Sequence, residues 1–301
     1  MSFAIITDTS ANLPTPLLKK YGIPVVPFSY FIDGQAFSCL DTEAFDSHGF
    51  YEAIRQGTRV STSQINPGLF LEAFRGPLEK GLDVLFVSMS SGISGSCGSA
   101  RIAAEQLSGE FPERKIRIVD TIGASLGEGF LALRAVELRD EGKDAEETFA
   151  ILEELKQRMC QVFTVDDLMH LRSTGRLSNA AAVIGTVLNI KPLLKGNEHG
   201  QIVSFAKIRG RRRSIEAIAQ NYDRLVENAA DQVIGIAHAD CPEDMEYLCS
   251  LLRKNNPPKD IMVVDYEPVT GSHVGPGALA LFFFGSAQFR AEKEKLLNKL
   301  K

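Results

Sequence analysis

Apolar residues in the first half of the chain form short runs of strand length, separated by longer segments with helical character. The runs cover residues 3–7, 23–28, 83–89 and 116–120. One helix is predicted to begin at Asn66-Pro67, since asparagine is a good N-cap and proline fits the first helical position. Two further helices are predicted over about 95–107 and 123–139. Strands that alternate with helices predict parallel pairing, and hence an α/β fold with a mainly parallel sheet.

The second half repeats this alternation with a different spacing. A charged amphipathic helix over 146–158 is predicted to close the first domain. The strands predicted after it cover residues 161–165, 201–208, 232–238 and 261–265, with helices over about 212–228 and 242–254. We therefore predict two α/β domains, residues 1–160 and 161–301, with the boundary near residue 160.

Composition excludes several classes of protein. The chain has 301 residues, of which 44% are apolar and 24% charged, an average balance for a globular protein. Its net charge of -5 argues against a broad nucleic-acid-binding surface, which needs a surplus of basic residues. The five cysteines are scattered without a CxxC pair, so neither a metal site nor a disulfide framework is predicted. No signal peptide or transmembrane segment is indicated, which predicts a cytoplasmic protein.

A cluster of hydroxyl residues precedes the helix that begins at Asn66-Pro67. The cluster is Ser61-Thr62-Ser63-Gln64. Such hydroxyls can cap the helix, or they can donate hydrogen bonds to an anion beside the unpaired first amides of the helix. Both interpretations remain open for Thr62 and Ser63.

A second segment, residues 88–96, follows an apolar strand and opens a helix. It contains Ser91, Ser94 and Gly95 and has no charged side chain. Ligands collect at the carboxyl ends of strands in a parallel sheet, and neutral donors there suit one carboxylate or phosphate. A plain glycine- and serine-rich turn is the alternative. The segment is neither a Walker loop, because the lysine is missing, nor a GxSxG elbow, because Ser96 occupies the second glycine position.

A third segment, residues 271–277, places His273 between glycines in a predicted loop, where an imidazole could reach a ligand. Ser94 and His273 also permit a rival interpretation as a serine hydrolase or acyltransferase, with Asp8 or Asp120 orienting the base. The arginines of residues 209–213 predict a docking surface, a solvated face or a nucleic-acid contact.

In their order along the chain, these segments resemble the DegV family, the fatty-acid-binding component of bacterial fatty acid kinase. The matching pieces are Ile6-Thr7-Asp8-Thr9-Ser10, Thr62-Ser63-Gln64, Ser90-Ser91-Gly92-Ile93-Ser94-Gly95-Ser96, Val119-Asp120-Thr121, Asp166-Asp167-Leu168, Gly175-Arg176-Leu177-Ser178, Leu188-Asn189-Ile190-Lys191-Pro192, Lys207-Ile208-Arg209-Gly210 and His273-Val274-Gly275-Pro276-Gly277. The chain also departs from the family pattern. It has Ile65-Asn66 where Pro-Ser is frequent, Ser96 where threonine is usual, and Thr174 where glycine is common.

The resemblance implies a fold and a set of site residues. It implies two α/β domains, with a lipid tunnel inside the N-terminal one. Thr62 and Ser94 resemble the residues that hydrogen-bond the carboxylate of the fatty acid, and His273 is expected close to the same head group. The neighbouring ligand-binding positions are Ser63, Ser91 and Gly95.

The resemblance also implies a role and a partner. Arg176 and Arg209 resemble positions that dock the kinase. The expected function is a fatty-acid carrier with no catalytic residue, no metal and no cofactor beyond the bound long-chain fatty acid. An ATP-dependent fatty acid kinase subunit would form the acyl phosphate, which would enter phospholipid synthesis. No nucleic acid is expected as a partner.

Overall fold

The computed structural model describes residues 3–178 and 189–291. The chain divides into two compact units. The first comprises Met1–Phe45 with Arg59–Lys156, and the second comprises Asp46–Thr58 with Gln157–Lys301. The segment 46–58 therefore belongs to the second unit, although the chain on both sides of it belongs to the first.

The first unit is built on a four-stranded sheet of entirely parallel strands. The strands of the whole unit are β1 (Phe3–Asp8), β2 (Val25–Val26), β3 (Ser29–Ile32), β4 (Gln35–Phe37), β5 (Val60–Ser63), β6 (Asp83–Ser88) and β7 (Ile116–Asp120). The order in the parallel sheet is β2-β1-β6-β7. The apolar runs that form β1 and β6 are buried almost throughout, as expected for strands covered on both faces. The predicted parallel sheet is confirmed, while the run 23–28 pairs only at Val25–Val26.

Helices connect these strands. They are α1 (Thr15–Tyr21), α2 (Ser47–Arg55, in the second unit), α3 (Pro67–Glu79), α4 (Ser96–Glu110), α5 (Leu126–Asp140) and α6 (Ala145–Leu155). Asn66 caps α3 as predicted, since its side chain accepts a hydrogen bond from the Leu69 amide at 3.2 Å. Three phenylalanines of α3 and β6, Phe70, Phe74 and Phe86, pack against one another in the core of the unit.

The first unit also contains an antiparallel sheet that is not predicted from the sequence. Its strand order is β4-β3-β5, and β5 carries Thr62 opposite Tyr30 and Ser63 opposite Ser29. The capping interpretation of Thr62 and Ser63 is therefore wrong, because both lie in a strand and Asn66 provides the cap.

The second unit contains a six-stranded mixed sheet in the order β10-β9-β8-β13-β11-β12. The strands are β8 (Met159–Thr164), β9 (Ile190–Gly196), β10 (Ile202–Arg209), β11 (Val233–His238), β12 (Asp260–Asp265) and β13 (Leu279–Phe284). Among the strand pairs of the described residues in this sheet, β11 with β12 is parallel and the others are antiparallel. The helices are α7 (Leu168–Ser173), α8 (Arg211–Leu225), α9 (Pro242–Asn255), α10 (Pro268–Val274) and α11 (Gln288–Ala291). The apolar run 278–284 is mostly β13, and Phe283 packs edge-on against Tyr222 in the core.

Across residues 3–178 and 189–291, none of the helices combines the length and the apolar character that a membrane span requires.

Candidate functional site

The carboxyl ends of the parallel strands in the first unit carry the polar segments singled out in the sequence. β1 ends at Asp8, β6 at Ser88 and β7 at Asp120, and these strands are neighbours in the sheet. Parallel strands place their carboxyl ends along one edge, so the three polar turns converge there.

Backbone amides of the serine-rich segment, residues 88–96, are fixed by the neighbouring turns. The Met89 amide donates to Asp8 Oδ2 at 3.3 Å, and the Ser91 amide donates to Asp120 Oδ1 at 3.1 Å. The Ser90 amide donates to the Gly123 carbonyl at 2.8 Å. These contacts from both adjacent strand ends hold the segment in one conformation before it enters α4.

The structure brings the end of β5 onto the same segment. Ser96 Oγ accepts from the Ile65 amide at 3.0 Å and from Ser94 Oγ at 3.0 Å. A Cβ atom added to Gly95 would lie 1.9 Å from Gln64 Oε1, which shows how closely the two segments approach. Two of the three predicted motifs therefore meet within the first unit, around the fully buried hydroxyl of Ser96.

The predicted ligand-binding positions in this unit differ in exposure. Thr62 and Ser94 are half-buried, whereas Ser63, Ser91 and Gly95 are exposed. The first amide of α4, that of Ser96, donates to Ser94 Oγ at 3.2 Å, so Ser94 also caps this helix start. The residues form a group of uncharged donors, and their contact with a ligand stays a prediction.

Removal of the Ser96 hydroxyl should destabilise the first unit. Ser96→Ala leaves the buried Ile65 amide without its acceptor, which costs about 1–3 kcal/mol of unfolding free energy. Ser96→Thr keeps a hydroxyl and is the matched control, with an expected change near zero. Urea denaturation of both variants measures the effect, and equal stability of the alanine variant and the native protein would contradict it.

Two buried acids, Asp8 and Glu128, lie next to the serine-rich segment, and the sequence does not predict that they are close together. Asp8 and Glu128 are 1% and 0% exposed, and Ser10 Oγ lies between them, 2.5 Å from Asp8 Oδ1 and 2.7 Å from Glu128 Oε2. Burial raises the pKa of Asp8 to about 6, although hydrogen bonds from Ser10 and the Met89 amide oppose the shift. Burial, followed by the charge of Asp8, raises the pKa of Glu128 well above its ordinary value.

In the second unit, His273 lies in the last turn of α10, so the prediction that it sits in a loop is wrong. Glu267 caps this helix, accepting from the Val269 amide at 2.7 Å and the Thr270 amide at 2.6 Å. Pro268 follows at the first helical position, which together with the acidic cap explains why the helix starts there. Tyr51 supports the same segment through a hydrogen bond from its hydroxyl to the Tyr266 carbonyl at 2.7 Å.

Two basic side chains, Arg176 and His170, lie close enough to His273 to affect its pKa. Burial lowers the pKa of His273 to about 4, with smaller contributions from Arg176 and His170. His170 Nε2 lies 2.7 Å from the Ser272 carbonyl, and Arg176 Nη1 donates to the Thr174 carbonyl at 2.5 Å. The His273 imidazole is therefore neutral at neutral pH and can act as both donor and acceptor.

The arginines of residues 209–213 do not form one uniform patch. Arg209 is exposed at the end of β10, whereas Arg211 is half-buried and donates to Asp244 at 2.7 Å and to the Gly277 carbonyl at 2.7 Å. Arg212 faces Glu216 at 3.5 Å. Arg209 is thus available for a partner, while Arg211 is used inside the unit. Leu188, which opens one of the family motifs, lies outside the described residues.

No group of acidic, histidine and cysteine side chains suited to a metal ion occurs in the described part of the chain. The buried Cys97 in the first turn of α4 is not an activated thiol, because burial raises its pKa.

Comparison with known proteins identifies the family. The model of the DegV family of uncharacterised proteins matches residues 2–286, and the chain belongs to this family. The DegV domain-containing protein CPE0026 of Clostridium perfringens is 39% identical over 287 residues, which cover 95% of this chain and 98% of the relative.

Solved structures share the fold over 95% of this chain. A DegV family protein of Thermus thermophilus, described as fatty acid binding, superposes with a TM-score of 0.86 at 29% identity, covering 95% of this chain and 100% of the other. DegV of Bacillus subtilis, described as a fatty acid binding protein, gives a TM-score of 0.81 at 29% identity with the same coverage. These similarities establish the α/β DegV fold for the chain.

Proposed function

We propose that the chain binds a long-chain fatty acid, buries the alkyl tail in a tunnel inside its N-terminal domain and presents the carboxylate to a kinase subunit. The observation that carries this proposal is the group of uncharged donors around Ser94 at the carboxyl ends of the parallel strands. The relatives from Thermus thermophilus and Bacillus subtilis that are described as fatty acid binding support it.

The energetics of such a ligand favour this arrangement. Burying a tail of about fourteen methylenes gains roughly 11 kcal/mol before the costs of binding. A carboxylate that leaves water needs hydrogen-bond donors. The Thr62 hydroxyl, nearby backbone amides and the Ser94 hydroxyl, once it turns from Ser96 Oγ to the ligand, would supply them. The tail therefore sets the affinity, and the donors fix where the head group stops. Ser63, Ser91 and Gly95 border this position, and we propose His273 as a further ligand-binding residue.

A direct test of lipid binding uses the purified full-length chain. We expect denaturing extraction followed by mass spectrometry to release a stoichiometric amount of long-chain fatty acid. A protein that carries no lipid and takes up no labelled fatty acid after delipidation would contradict the proposal. Covalent labelling of Ser94 by a fluorophosphonate, with ester hydrolysis, would instead favour the serine hydrolase alternative.

The head-group assignment predicts a specific loss in a double variant. Thr62→Ala with Ser94→Ala should weaken binding of a fatty acid by about 10- to 150-fold for each hydroxyl, because hydrogen bonds to a charged group contribute roughly 1.5–3 kcal/mol. Binding of the fatty alcohol of the same length should change little, since it has no carboxylate. Equal losses for acid and alcohol would show that the hydroxyls act on the tail or on folding instead.

The kinase partner is the second part of the proposal. The chain itself has no Walker motif, so an ATP-dependent subunit would form the acyl phosphate for phospholipid synthesis in the cytoplasm. We propose that Arg176 and Arg209 dock this subunit. Arg209→Glu should preserve fatty acid binding and abolish acyl phosphate formation, with the exposed Arg213→Glu as the matched control. Normal turnover of the Arg209→Glu variant would exclude Arg209 from docking.

A further inference from the structure

The hydroxyl groups next to the buried acids Asp8 and Glu128 make more close oxygen–oxygen contacts than they have protons to donate. Ser10 Oγ lies within hydrogen-bond distance of both acids, yet its single proton can serve only one of them. Thr7 Oγ1 repeats the problem, since it lies 3.0 Å from Glu128 Oε1 and 2.9 Å from the Val87 carbonyl. Two hydroxyl protons therefore face four acceptor atoms, and a carboxyl group must supply at least one further proton.

The surroundings decide which acid carries this proton. Asp8 accepts the Ser10 amide at 2.9 Å and the Met89 amide at 3.3 Å, and amide donors favour the ionised form of a carboxyl group. The described side-chain contacts of Glu128 are those to the Thr7 and Ser10 hydroxyls and to Asp8 itself. We infer that Glu128 is held as a neutral carboxylic acid that donates to Ser10, and that this bond fixes Asp8 as the acceptor for the Met89 amide at the start of the serine-rich segment.

The electrostatic surroundings agree with this assignment. Among the described residues, Asp8 and Glu128 act on each other, and the Cys97 thiol on α4 responds to the charge of Asp8. Burial raises the pKa of Cys97, so it adds no charge at neutral pH. Two ionised carboxylates across one hydroxyl would repel each other strongly in this buried position. Glu128 is thus a positioning residue, and its protonation does not require a bound fatty acid.

Infrared spectroscopy on the ligand-free native protein provides the first test. We expect the carbonyl stretch of a protonated carboxyl group at neutral pH, and we expect this band to shift when glutamate residues carry ¹³C. A missing band would overturn the inference. A band that shifts only with ¹³C-aspartate would place the proton on Asp8 and would overturn it as well. Because this measurement needs no variant, it decides the question even if substitutions prevent folding.

The pH dependence of stability provides the second test. An acid whose pKa is raised by folding binds more protons when folded, so its contribution to stability is lost as pH rises. We compare the folding equilibrium constant of the native protein with that of Glu128→Gln. Above the ordinary glutamate pKa of 4.5, this ratio should fall by up to about tenfold for each pH unit. The amide can donate to Ser10 as the neutral acid does. The exposed Glu137→Gln on the same helix should follow the native profile. A constant ratio of native protein to Glu128→Gln across this range would overturn the inference.

Fatty acid binding distinguishes this inference from the proposed function. If Glu128→Gln binds fatty acid like the native protein and also removes the pH slope, both hold. If neither the native protein nor Glu128→Gln binds fatty acid but the infrared band is present, only the proposed function fails.

Discussion

Replacement of Gly271 by alanine should destabilise the second unit by roughly 3 kcal/mol, at the upper end of the range for overpacking a core. An added Cβ atom would lie 1.9 Å from the hydroxyl oxygen of Tyr51. Tyr51 is fully buried and its hydroxyl donates to the Tyr266 carbonyl, so moving the ring away from the added atom would break this hydrogen bond. Gly271 and His273 share α10, so the strain should also displace the imidazole. Denaturant unfolding measures the loss.

A double-variant cycle identifies the cause of this effect. Tyr51→Phe alone should cost about 1–3 kcal/mol, because the buried Tyr266 carbonyl loses its hydrogen-bond donor. In the Gly271→Ala background, the same change removes the clashing oxygen and should recover part of the lost stability. The exposed helical Gly109→Ala, whose Cβ would meet nothing within 4 Å, is the control and should be neutral or slightly stabilising. Additive losses in the double variant would refute the steric explanation.

The parallel sheet could be predicted from the sequence because its strands are buried on both faces. Such strands appear as continuous apolar runs, and β1 and β6 have this form. β5 could not be found in this way, because Val60-Ser61-Thr62-Ser63 has one apolar residue and pairs within a small, partly exposed sheet. The position of Thr62 is set by its pairing with Tyr30, which is distant in sequence.

The wrong prediction for His273 has a related cause. Glycines at 271, 275 and 277 suggest a loop, since glycine disfavours helix interiors. Glu267 and Pro268 form a strong helix start, and burial against Tyr51 requires the glycine at 271 inside that helix. Packing thus overrides the preference of glycine for non-helical structure at Gly271. The residue it packs against, Tyr51, is distant in the sequence, so the contact could not be predicted from the local pattern.

The sequence around Glu128 contains a signal of its buried position. Glu128 lies between Gly127 and Gly129 in an otherwise apolar helical turn. A Cβ atom on Gly129 would lie 2.5 Å from the Ala11 carbonyl, so the helix can approach the turn after β1 only because this residue is glycine. A charged residue flanked by glycines at such a close approach indicates a buried polar contact. The identity of its partner, Asp8, follows only from the fold.

Asp8→Ala should cost roughly 2–6 kcal/mol of unfolding free energy, because it leaves two buried amides without acceptors at about 1–3 kcal/mol each. These amides belong to Ser10 and Met89, on the two turns that flank the edge of the sheet. The Ser10 hydroxyl can still turn to Glu128, so it adds little to the loss. Denaturant unfolding gives the free energy, and hydrogen exchange at the Met89 amide should accelerate.

Asp120→Ala provides the matched comparison on the other side of the serine-rich segment. Asp120 also accepts two amides, from Ser91 at 3.1 Å and Ile122 at 3.2 Å, but it is only half-buried. Water can replace its oxygens, so the same change in residue type should cost clearly less there. Equal losses at both positions would mean that burial of Asp8 does not determine its contribution. A larger loss at Asp8 attributes the anchoring of residues 88–96 mainly to the buried acid on β1.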